Sequence, residues 1–155
     1  MSYMRRISSL DKIYHFKTEM EINAYHYTAG PIGTRWLEAL KNGELKVAKC
    51  NKCGTRFLPP KLYCPKCFSE VSELESISGE GYIDTYSVIY YNDGGERMSE
   101  PVIIALIRFE GIYGGIIHRV KTDPKKIRIG MRVKPVFRRD KKGSIDDIEY
   151  FQPIE

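Results

Sequence analysis

The chain has 155 residues, 42% of them hydrophobic, which allows one ordinary domain or two small ones and excludes a wholly disordered polymer. It has no run of 18 apolar residues, and the charged start Met1–Asp11 is not followed by an apolar signal core, so neither a membrane span nor export is expected and the reading is a cytoplasmic protein. The net charge of +5 is uneven: Arg119 to Lys142 carries 11 Lys or Arg against two Asp, while the remainder carries 14 basic and 18 acidic residues. Such asymmetry points to an anionic partner (nucleic acid, a nucleotide-containing cofactor or an acidic protein face) or to alternating strand residues that face solvent.

The first thirty residues look helix-prone, with Ile7, Leu10, Ile13, Tyr14 and Lys17 on one stripe, until Ala29-Gly30-Pro31-Ile32-Gly33 breaks the pattern. Thr34 then reads as an N-cap for a short helix over 34–42, with Trp36, Leu37 and Leu40 apolar and Gly43 as the stop. Glu44 to Lys49 alternates as a strand leading into a cysteine region, Cys50 to Cys67, whose central Pro59-Pro60 favours an extended or turn conformation. Ser69 to Gly79 reads as a polar link. Strand signals follow at Gly81–Tyr91, Pro101–Phe109, Ile112–Val120, Met131–Arg139 and Asp147–Phe151, separated by glycine-containing turns. In the first of these, Tyr82, Tyr86 and Tyr90 are expected on one sheet face. Five strands in about 75 residues fit a closed Greek-key barrel of OB type, and an SH3-like barrel or short sandwich would give nearly the same pattern. The expected organisation is mainly β with N-terminal helices: a helical segment 1–45, a rubredoxin-like zinc ribbon 46–75 and a five-stranded OB-fold domain 76–155.

Cys50-Asn51-Lys52-Cys53-Gly54 and Cys64-Pro65-Lys66-Cys67 are two Cys-x-x-Cys turns separated by ten residues. Each turn can bring two thiolates onto one metal, and two turns complete a tetrahedral zinc site. Disulfides do not suit a reducing compartment, and a dithiol redox centre ordinarily uses a single such motif at a helix N-terminus. Iron accepts the same four sulfurs. With every position filled by sulfur, the metal is expected to be structural rather than catalytic.

The Trp36-Leu37-Glu38-Ala39-Leu40-Lys41-Asn42-Gly43 helix end, the Cys50–Cys67 block with Phe57, Pro59 and Pro60, and Gly79-Glu80-Gly81-Tyr82-Ile83 together resemble the DUF35 family, rubredoxin-like zinc ribbons joined to an OB-fold. Pro101–Gly111 and Ile129-Gly130-Met131-Arg132-Val133 are similar to that family's later strands. The resemblance covers about Thr34 to Pro153, and residues 1–33 form a longer leader than many members carry. It implies a non-catalytic, acyl-CoA-associated scaffold beside thiolase-like enzymes, acetoacetyl-CoA thiolase and HMG-CoA synthase, where it helps hold the CoA part of a shared intermediate. CoA offers phosphates to Lys or Arg and an adenine to an aromatic ring. The candidate contacts are Arg35, Trp36, Lys49, Arg56 and Lys61 near the ribbon, with Tyr82 and Tyr86 on the first barrel strand. Barrel packing and a solvated surface are the plainer roles for the same residues.

An enzymatic reading needs residues the chain does not offer in recognisable form. His15, His26 and His118 belong to no triad or metal pattern, and there is no phosphate-binding glycine loop, nucleophile elbow or His-Glu-x-x-His. The expectation is no activity of its own. The competing class is a single-stranded nucleic-acid binder, since zinc ribbons and OB-folds both bind nucleic acid and the basic run after Arg119 could follow a phosphate backbone.

Overall fold

The structure, a computed structural model, describes residues 28–154. The predicted stripe from Ile7 to Lys17 lies outside the described residues. In chain order the elements are helix α1 (Gly30–Lys41) and strands β1 (Lys46–Lys49), β2 (Arg56–Leu58), β3 (Glu73–Ser76), β4 (Gly81–Tyr91), β5 (Arg97–Arg108), β6 (Tyr113–Gly114), β7 (Ile116–Arg119), β8 (Arg132–Phe137) and β9 (Ile148–Pro153). A 3-10 turn, Ile145–Asp147, precedes the last strand.

Helix α1 begins four residues before the predicted start at Thr34. Pro31 stands in the first turn, where a missing N–H removes no helical bond and a fixed φ favours the helix, so the Gly-Pro pair opens the helix rather than breaking it. Thr28 Oγ1 accepts a bond from the Gly30 N–H (3.1 Å), and Thr34, instead of capping, donates its hydroxyl to the Gly30 carbonyl at 2.8 Å. Ile32, Trp36, Ala39 and Leu40 recur at helical spacing and are the buried face. Gly43, at φ +79°, turns the chain out of the helix.

Two sheets follow. The ribbon sheet has the order β3-β1-β2-β6, and the barrel sheet the order β7-β5-β4-β8-β9. The barrel sheet is antiparallel throughout and closes on itself through a parallel bridge between Val120 and Phe151, with the Lys121 N–H donating to the Phe151 carbonyl at 2.8 Å. This is the expected five-stranded OB barrel, distinguished from a sandwich by that closure.

Three local expectations change. Part of the supposed polar link is a strand: Glu73–Ser76 pairs antiparallel with β1, Val47 opposite Glu75 and Ala48 opposite Leu74. The single strand expected over Ile112–Val120 is divided between the sheets, because Tyr113 and Gly114 pair parallel with Phe57 and Leu58 while Ile116–Arg119 pairs with β5. Gly114 has φ +88°, and a Cβ there would collide with the Leu58 carbonyl; the Gly115 N–H donates to that same carbonyl at 3.0 Å. Finally, a bulge at Asp84 shifts the β4 register, so Tyr82 lies opposite Arg108 whereas Tyr86 lies opposite the buried Ala105. Cross-strand partners share a face, so Tyr82 and Tyr86 point to opposite sides of the sheet.

The core ignores the boundary between ribbon and barrel. Trp36 and Leu40 of α1, Leu45 just before β1, Val47 and Leu58 of the ribbon, and Ile83, Ile107, Val133, Ile148 and Phe151 of the barrel belong to one buried cluster. A smaller cluster, Ala48, Cys50, Phe57, Cys64 and Val71, packs around the cysteines.

Candidate functional site

The two cysteine turns adopt the same backbone form. In the first, the Cys50 N–H donates to the Thr55 carbonyl (2.9 Å) and the Gly54 N–H to the Cys50 carbonyl (2.8 Å). In the second, the Cys64 N–H donates to the Ser69 carbonyl (2.9 Å) and the Phe68 N–H to the Cys64 carbonyl (3.0 Å). The residue after each second cysteine takes positive φ, +70° at Gly54 and +57° at Phe68. Glycine does this freely; phenylalanine does so at a cost on the order of 1 kcal/mol, and its ring is left largely exposed.

The turns bring all four Sγ atoms within 4.8 Å of one another, with Cys50–Cys67 at 3.5 Å and Cys53–Cys64 at 3.6 Å. Tetrahedral zinc with sulfur at about 2.3 Å requires sulfurs about 3.8 Å apart, so the set fits a four-thiolate metal with little adjustment. Cys50 and Cys64 are buried, Cys53 is exposed, and none is bonded to another cysteine. Thr55 Oγ1 lies 3.1 Å from Cys53 Sγ, and Ser69 Oγ lies 3.3 Å from Cys67 Sγ. The Thr55 hydroxyl, helped by that residue's backbone amide, pulls the Cys53 thiol down to about 6, and Ser69 lowers Cys67 in the same way. At Cys50 the backbone N–H of Cys53 favours the thiolate, but burial and the neighbouring Cys67 thiol outweigh it and push the group up to about 11. These hydroxyls escaped the sequence reading, although a signal for them exists: each Cys-x-x-Cys is followed two residues later by Thr or Ser.

The candidate ligand contacts separate into two groups. Four of those near the ribbon are engaged within the chain. Arg35 Nη1 donates to the Ser72 carbonyl at 2.6 Å, and Trp36 Nε1 donates to the Lys46 carbonyl at 2.9 Å, so both fasten α1 to the ribbon sheet. Lys49 Nζ (3.2 Å) and Arg56 Nη2 (3.1 Å) share the carboxylate of Glu75 on β3. Lys61 is exposed and has no ion pair among the described residues.

Arg56 and Tyr82 meet in a cleft of about 160 Å³ where ribbon joins barrel, together with Ser78, Glu80, Glu110 and Arg132. Arg56 Nε is shielded from water there without a hydrogen-bond partner in the described structure. Tyr82 lies in register with Arg108 on one neighbouring strand and Arg132 on the other, which places an aromatic ring on the same face as two guanidinium groups. Those arginines pair at the surface with Asp84 (3.6 Å) and Glu80 (3.4 Å). Arg132 was not anticipated as a site residue, because only the β4–β8 register brings it beside Tyr82. Tyr86 is elsewhere, its hydroxyl donating to the Ile127 carbonyl at 3.4 Å.

A zinc-ribbon module fused to an OB barrel through a shared core defines the class. Residues 37–75 match the ChsH2 rubredoxin-like zinc ribbon domain, and residues 75–138 the ChsH2 C-terminal OB-fold domain. A DUF35 domain-containing scaffold protein of Methanocaldococcus jannaschii is 39% identical over 116 residues, covering 69% of this chain and 79% of that protein. One of Methanothermobacter thermautotrophicus is 30% identical over 115 residues, covering 73% and 86%. A DUF35 protein of unknown function from Sulfolobus solfataricus superposes with a TM-score of 0.68 at 30% identity, covering 81% of this chain and 87% of its own. The Ltp2-ChsH2(DUF35) aldolase structure shares the fold, with a TM-score of 0.60 at 24% identity over 77% of this chain and 91% of that one. The chain belongs to the DUF35 family.

Proposed function

We propose that this chain is a non-catalytic scaffold subunit that associates with thiolase-like enzymes, acetoacetyl-CoA thiolase and HMG-CoA synthase, and helps hold the CoA end of an intermediate they share. The observation that carries this reading is the membership itself, since three curated relatives it matches are named scaffold proteins. The site chemistry supports it: four sulfurs leave a metal no position for substrate, so the centre shapes a surface rather than performing a reaction. The metal we assign is zinc, kept as a thiolate complex in a reducing compartment. We divide the chain for this purpose into an N-terminal segment to residue 45 that carries α1, a ribbon to 75 and the barrel beyond.

The junction cleft is the proposed CoA contact. Tyr82 would stack on the adenine while Arg56 and Arg132 exchange Glu75 and Glu80 for phosphate oxygens, an exchange that costs little because surface ion pairs contribute about 0–1 kcal/mol. Lys61 adds a cation on the ribbon. Arg35, Trp36 and Lys49 act by holding the ribbon in place. Calorimetric titration of the full chain with CoA tests this. Tyr82→Ala and Arg132→Ala are each expected to weaken binding about tenfold, the equivalent of about 1.4 kcal/mol; unchanged affinity in both variants would remove the cleft from the account.

One observation favours nucleic acid as a second reading: Tyr86 leans on the basic loop containing Lys125, Lys126 and Arg128. Salt-steep binding of a single-stranded oligonucleotide, abolished by Tyr86→Ala, is what that reading requires.

A further inference from the structure

A second cavity, of about 800 Å³ and sharing no residue with the junction cleft, opens between β5, β7 and the β8–β9 connection. We propose that it binds a phosphorylated, hydroxyl-bearing small molecule of nucleotide or sugar-phosphate type. Arg119, Arg138, Arg139 and Lys142 line it, all exposed and none with a carboxylate within 4.0 Å among the described residues. Four cations gathered around one cavity without ion-pair partners are poised for an anion, and three of them are the guanidinium forks that match phosphate oxygens two at a time.

The loop carrying three of these cations is held in a fixed form. Asp147, only 2% exposed, accepts the backbone N–H groups of Lys142 (2.8 Å), Gly143 (2.7 Å) and Ser144 (3.1 Å), and its carbonyl receives the Arg138 N–H at 2.8 Å. Asp147 is thereby satisfied by the backbone and does not neutralise the arginines. These bonds hold the loop without help from a ligand, which lowers the entropic cost of binding.

The remaining lining specifies what accompanies the phosphate. Ile104 and Ile117 supply an apolar wall, and Ile117 is 70% exposed. His118 lines the same cavity, and among the described residues its Nδ1 is shielded from water with no hydrogen-bond partner, a deficit of the kind a ligand hydroxyl or phosphate oxygen repairs. Asp140, Asp146 and Glu149 also border it. These carboxylates accept from hydroxyl groups but repel a continuing polyanion, so the lining suits a compact ligand with one charged end and not a nucleic-acid strand.

The test is an NMR titration of the full-length, metal-loaded protein, following the His118 imidazole and the Ile117 methyl groups and, in the junction cleft, the Tyr82 ring, with ADP, ribose 5-phosphate, inorganic pyrophosphate, adenosine and a single-stranded oligonucleotide as probes. The proposal expects saturable shifts at both residues with ADP and ribose 5-phosphate, at least tenfold weaker binding in Arg138→Ala/Arg139→Ala, and no saturation with adenosine. Both arginines are exposed, and the Tyr82→Ala protein, altered only in the other cleft, should give the same probe-dependent shifts at His118 and Ile117 as the unmodified chain does. Equal binding of adenosine, shifts confined to the junction cleft, insensitivity to the arginine substitutions, or tighter binding of an oligonucleotide at His118 would each overturn it. Response to pyrophosphate alone would do so too, by reducing the site to an unspecific anion cluster.

Discussion

Thr55 and Ser69 show how much a metal centre depends on groups that never touch the metal. Each places a hydroxyl beside one thiolate, and each lowers that thiol toward the ionised form a metal needs. Outer contacts of this kind commonly change metal affinity 10–100-fold. Thr55→Val with Ser69→Ala is therefore expected to weaken zinc binding by at least tenfold in a chelator competition while leaving stoichiometry at one ion per chain. Asp147 is the corresponding residue in the barrel. Burial alone would raise its carboxyl, but the amides of Lys142, Gly143 and Ser144 outweigh burial and hold it below the ordinary 3.8. A lowered carboxyl stabilises the fold above its unfolded value, and that stabilisation is lost as pH falls through the folded value. Asp147→Asn should cost about 2 kcal/mol at pH 7, by analogy with hydrogen bonds to charged groups, and the difference should narrow below about pH 4. Denaturant unfolding of both proteins across pH measures it.

Among the elements, the suture between β2 and β6 depends most on one residue type. Gly114 combines positive φ with backbone contact against Leu58, so any side chain must separate the strands. Gly114→Ala should destabilise the protein by about 2 kcal/mol or more, read as a lower denaturant midpoint. Elements of this kind also mark where sequence reading stops. The cysteine turns and the strands at 81–91, 101–109, 131–139 and 147–151 were legible because ligand spacing and hydrophobic alternation are local signals. Strand β3 was not, since Glu73–Ser76 is polar and owes its form to pairing with β1 some twenty-five residues earlier. The division of 112–120 likewise follows from the distant Leu58 carbonyl. For the candidate contacts, the types at Arg35, Trp36, Lys49 and Arg56 were visible, but their partners at Ser72, Lys46 and Glu75 were supplied by tertiary pairing. A one-residue bulge at Asp84 sufficed to part Tyr82 from Tyr86.

Taken as a whole molecule, ribbon, helix and barrel are one body, joined by a common core, a shared strand pairing and the contact of α1 with both modules. A metal in the ribbon would be tied to the barrel through that core, which is what the scaffold reading requires: faces held at a fixed spacing. Among the described residues no helix is long and apolar enough to cross a membrane. The measurement that tests the scaffold reading most directly is affinity capture of the tagged chain from its native extract, with mass spectrometry of the proteins retained after a nuclease-treated wash. The account predicts a thiolase and a synthase retained in near-equal amounts and unaffected by nuclease. Recovery of ribosomal or replication proteins that nuclease removes, with neither enzyme present, would contradict it.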